Sequence, residues 1–60
     1  MTIKQFVDAA RHPGRFTTEQ IREAFHYWSE KAIASPLGQG AEYLERAVMC
    51  MDALRERNAE

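Results

Sequence analysis

Phe16-Thr17-Thr18-Glu19-Gln20-Ile21 is the stretch on which the fold turns. Thr17 has the side chain of a helix N-cap, and Gln20 three residues later completes a capping box, each side chain satisfying a backbone N–H that the first turn leaves without a partner. Phe16 before the cap and Ile21 at the fourth helical position stand as a hydrophobic staple that fixes the angle of entry. Beyond them Ile21, Ala24, Phe25, Trp28 and Ala32 recur at helical spacing as a narrow apolar stripe. Glu19, Arg22, Glu23, His26 and Glu30 occupy the opposite side. This predicts a helix over 18–34, stopped before Ser35-Pro36 because proline disfavours helical geometry in the residue preceding it.

Upstream, Thr2 and Gln5 repeat the capping-box spacing, and Ile3, Phe6, Val7 and Ala10 follow on one helical face. A first helix over about 2–11 is expected, ended by His12-Pro13-Gly14. Downstream, two starts are open for a third helix. Ser35 as N-cap with Pro36 at the first position is a favoured arrangement, and would put Leu37 on the stripe of Ala41, Leu44 and Val48. It would also place Gly38 and Gly40 inside the helix, at about 1 kcal/mol each. The alternative is a loop through Gly40 and a helix over 41–57, with Glu42 and Arg46 spaced for an i,i+4 pair and Arg55 and Arg57 where the helix dipole favours cations.

The apolar arc of that third helix is wide. Leu44, Ala47, Val48, Met51 and Leu54 form its centre, Tyr43 and Cys50 one flank and Ala41 the other, roughly half the circumference at 100° per residue. One narrow stripe on a neighbouring helix does not cover so much. The expected fold is therefore an all-α three-helix domain, a short first helix plus a two-helix hairpin, assembled as a homodimeric bundle. The expected interaction surface is Tyr43, Cys50, Met51 and Leu54, with Tyr43 as its aromatic anchor.

Sixty residues bound the problem: a chain this short buries only about 60% of its unfolded surface, and small domains commonly need a disulfide, a metal or oligomerisation. Cys50 is the only cysteine, which rules out an internal disulfide and suits a reducing compartment. The net charge is −1, with five basic and four acidic residues in 1–34 and three and five in 35–60. A nucleic-acid binder usually carries a far stronger basic footprint. The N-terminus has neither the basic nor the apolar region of a targeting segment, and the run Ala47-Val48-Met49-Cys50-Met51 is too short to span a bilayer. A cytoplasmic protein without a membrane partner is expected.

No constellation of side chains points to catalysis. Glu23-x-x-His26 has the spacing of di-iron bundles, with Glu19 and Glu30 alongside, but such ligands project inward and these lie opposite the Ile21/Phe25/Trp28 stripe. A solvated charged face is the simpler reading, so no metal and no cofactor are expected. Cys50 stands among Val48, Met49 and Met51 without a basic neighbour to hold a thiolate, and Gly38-Gln39-Gly40 is too short for a phosphate loop. Phe6, Phe25 and Trp28 read as core, with Trp28 central; Tyr27 lies off the stripe and reads as a surface contact. Met51 alone of the Met49/Met51 pair is on the apolar face, a weak sign of an adaptable groove.

By elimination the expected function is a non-enzymatic protein–protein interaction or regulatory module, binding itself and a further protein. Chains this short are often bacterial or phage accessory proteins. The alternative is a small helix-turn-helix-like DNA-binding regulator, with Arg11, Arg15 and Arg22 on phosphates. Against it, the second helix exposes Glu19, Glu23 and Glu30, which repel phosphate where a recognition helix must present polar or basic groups.

Overall fold

A computed structural model describes residues 1–36, 38 and 40–58. Three α-helices follow in order, α1 at Ile3–Arg11, α2 at Thr18–Ala34 and α3 at Ala41–Asn58, with one 3-10 turn at Pro13–Arg15 between the first two. No strand occurs among the described residues, so the chain is all-α.

Both capping boxes form as the sequence predicts. The Thr2 hydroxyl accepts from the Gln5 N–H while Thr2 N–H donates to the Gln5 side chain, at 3.2 and 2.8 Å. Thr17 and Gln20 make the same reciprocal pair at the same distances. Phe16 packs against the buried cluster that contains Ile21, as the staple requires. The third helix takes the later of its two starts, and Leu44 N–H closes its first turn on the Gly40 carbonyl at 2.9 Å. Ser35 serves the preceding helix instead: its backbone is extended and its hydroxyl donates to the Lys31 carbonyl at 2.7 Å. Leu37, placed on the stripe under the earlier start, lies outside the described residues.

The bend between α2 and α3 needs its glycines. Gly38 has φ +90°, a backbone conformation that L side chains rarely adopt. A Cβ at Gly40 would stand 3.0 Å from the Ala32 carbonyl oxygen, so this residue must be small for α3 to turn back on α2.

The core comprises Phe6, Ala9, Ala10, Ile21, Ala24, Trp28, Ala47, Cys50 and Ala53. Trp28 is its centre. Its indole N–H donates to the Phe6 carbonyl at 3.1 Å, which ties α1 to α2. An aromatic ladder runs across all three helices: Phe6 stacks on Tyr27 at 4.2 Å, Tyr27 meets Trp28 edge-on at 4.8 Å, and Trp28 stacks on Tyr43 at 5.7 Å. Tyr27 is therefore a half-buried member of the core rather than a surface contact. Arg46 likewise does more than pair along its helix, since its guanidinium carbon lies 4.8 Å from the Trp28 ring centre.

Helix α1 is turned relative to expectation. It buries Phe6, Ala9 and Ala10, and Ile3, placed on the core face by its spacing, is 62% exposed. With its Phe6 stacked on Tyr27 of α2, α1 covers one side of the antiparallel α2/α3 hairpin. The molecule measures 36 × 23 × 15 Å.

Candidate protein-interaction surface

The predicted interaction residues do not form an outer surface. Cys50 has 0% exposure, and burial pushes its thiol up from 9.0 to about 11, so it meets no partner and stays protonated at neutral pH. Tyr43 is half-buried and stacked on Trp28. Leu54 packs against the core, and Met51 alone of the four lies at the edge of an open surface. The physical reason is a rotation of α3 about its axis. The aromatic pair Trp28–Tyr43 draws the Tyr43/Ala47/Cys50 line inward, and of the expected centre Leu44 and Val48 are carried outward while Ala47 stays buried.

What α3 leaves uncovered is Leu44, 58% exposed, and Val48, 41% exposed, with exposed Ala41 and half-buried Met51 on the same arc. At 100° per residue these four fall within about one quarter of the helix circumference. Across the hairpin, α2 contributes half-buried Phe25, Ser29 and Ala32 and, at its end, Ile33 with 85% of its surface in water. Ser29 and Tyr27 lie on opposite sides of Trp28 along the helix, so this is the side of the hairpin away from α1. The apolar surface deepens into a groove of about 390 Å³ at the α2–α3 bend, lined by Ala32, Ile33, Pro36, Ala41 and Leu44 among others.

This open face is framed by charge. Exposed Glu19 and Arg22 stand on the outer edge of α2 and exposed Arg55 beside the apolar arc of α3, while Asp52 lines a depression with Ala10 and Arg11 on the side that carries α1. Arg11, Arg15 and Arg22, the residues of the nucleic-acid alternative, are all exposed and belong to three different elements. Arg22 is flanked on its own helix by exposed Glu19, Glu23 and His26. Among the described residues no group of three His, Cys, Asp or Glu could hold a metal ion, and no helix is long and apolar enough to cross a membrane.

The role of one further side chain in the fold escaped sequence reading. Arg57, expected only to complement the helix dipole, donates to Thr18 Oγ1 at 3.0 Å and to the Pro13 and Phe16 carbonyls at 2.8 and 2.7 Å. It closes the end of the molecule opposite the bend and holds the α1–α2 connection on α3. Nothing local marks it, because its acceptors are backbone carbonyls about forty positions away in sequence.

Comparison with protein-family models, curated proteins and solved structures returns no match.

Proposed function

We propose that the chain is a non-enzymatic protein–protein interaction or regulatory module that works as a homodimer through the open face of the α2/α3 hairpin. The observation that carries this reading is the exchange of residue sizes between inside and outside. Five of the nine core residues are alanine, while Ile33, Leu44 and Val48 stand in water. Burying one such aliphatic side chain contributes about 1.5–3 kcal/mol, so a chain that keeps alanines inside and large aliphatics outside gains by covering them. Contiguous exposed apolar surface rimmed by polar residues is the usual mark of a protein-binding face.

Light scattering across a concentration series tests this. The expected result is a mass of twice 6.9 kDa, with Leu44→Glu shifted to the single-chain mass and its helix content kept. A wild-type chain that stays at 6.9 kDa throughout the series contradicts the homodimer.

A further inference from the structure

A cation rests on two tyrosine rings on the side of the hairpin that carries α1. The Lys31 ammonium lies 5.7 Å from the centre of the Tyr27 ring and 6.0 Å from the centre of the Tyr43 ring. We propose that these two rings form a binding site for a quaternary ammonium group, and that the Lys31 ammonium is its built-in occupant. The inference goes beyond self-association and does not depend on it, because Tyr27 lies on the opposite side of the hairpin from the open apolar face.

Local structure places the three side chains and the core holds the rings. Tyr27 and Lys31 are one turn apart on α2, so they share a face of that helix. Tyr43 comes from α3 and is brought into reach by its stacking on Trp28 at 5.7 Å. Phe6 stacks on Tyr27 at 4.2 Å, and Trp28 meets the same ring edge-on. Both tyrosines are half-buried, so each ring is fixed by the core while part of it stays open. Rings held in this way lose little freedom when a ligand binds. Beside Tyr27 a depression of about 310 Å³ opens, lined also by Glu30, Lys31 and Ala34.

The chemistry of the pair selects the ligand. An aromatic face attracts a cation through its quadrupole but supplies no strong acceptor for N–H groups. A primary ammonium or a guanidinium therefore gives up hydrogen bonds to water on settling there, whereas a quaternary ammonium has no N–H to leave unsatisfied. Distance points the same way. The Lys31 nitrogen stands farther from both rings than carbon contact requires. N-methyl groups reaching about 1.45 Å from that position toward the rings bring carbon to roughly 4.3 and 4.6 Å from the two centres, close to van der Waals contact. Exposed Glu30 on the rim of the depression favours positive charge. Arg46, over Trp28 at 4.8 Å, is a second cation nearby. The ligand takes the place of the Lys31 charge beside it, and the displaced ammonium swings into water, where its charge is screened.

The test is a titration of the full chain, followed by the ring proton signals of Tyr27 and Tyr43 in nuclear magnetic resonance. The probes are choline, a short peptide carrying one trimethylated lysine, and the uncharged isostere of choline in which carbon replaces nitrogen. Both rings should shift saturably with a charged probe and stay unmoved with the isostere. The tighter of the two charged probes distinguishes a small quaternary amine from a modified side chain as the source of the group. Lys31→Ala removes the occupant and should tighten binding by about threefold or more, and Tyr27→Leu in that background should weaken it on the order of tenfold. Circular dichroism checks that helix is kept; if Tyr27→Leu loses it, the comparison of Lys31→Ala with the wild type decides. Equal shifts from the isostere, no saturable shift from either charged probe in Lys31→Ala, or weaker binding in Lys31→Ala than in the wild type would each overturn the proposal.

Discussion

Trp28 and Arg57 hold opposite ends of one problem: how to join three short helices that share few large side chains. The indole is buried and its N–H is satisfied by the Phe6 carbonyl, so it provides both apolar area and a directional tie to α1. Trp28→Ala should cost about 3–5 kcal/mol, enough to unfold a domain this small, with loss of the helical circular-dichroism signal as the readout. Arg57 acts through three donors at the other end. Arg57→Met keeps the aliphatic stem and removes them; because these carbonyls lie near the surface and water can replace the donors, a loss of about 1–2 kcal/mol in urea denaturation is expected. Cys50 gives a pH dependence. Its thiol is raised from 9.0 to about 11 by burial, so the folded state holds its proton more tightly than the unfolded state. That contribution to stability is complete below pH 9 and is lost as pH rises through about 11. Denaturation midpoints measured from pH 8 to 11 should fall more steeply for the wild type than for Cys50→Ala.

The elements themselves were legible where their signals are local. Thr2/Gln5 and Thr17/Gln20 specify helix starts through contacts three residues apart, and both boxes form. Thr17→Ala should cost about 1 kcal/mol, read as a lower thermal midpoint. The start of α3 was open in the sequence and is decided by a tertiary approach, the Gly40 backbone against the Ala32 carbonyl. Gly40→Ala should lower the midpoint as well, since its Cβ meets backbone that cannot swing aside. The facing of α1 and α3 was not legible. Periodicity defines an arc but leaves open which part of a wide arc turns inward, and on α3 that was settled by Tyr43 stacking on a tryptophan fifteen residues earlier. The same stacking changes what Tyr43→Glu should do: it places a charge against Trp28 and unfolds the chain, rather than releasing a dimer.

At the scale of the whole molecule, α1 packs on one side of the hairpin, and among the described residues no element covers Leu44 and Val48 on the other. The wide apolar arc read on the third helix is present, and Leu44 and Val48 on it stand in water. The flank of that arc expected to stay uncovered, Tyr43, Cys50 and Leu54, packs inward instead. The most direct measurement is isotope-filtered nuclear Overhauser spectroscopy on a mixture of labelled and unlabelled chains, which records only contacts between copies. The proposed homodimer predicts intermolecular contacts from the methyl groups of Leu44 and Val48. Intermolecular contacts confined to other surfaces, or none in a sample that remains monomeric at high concentration, would contradict it.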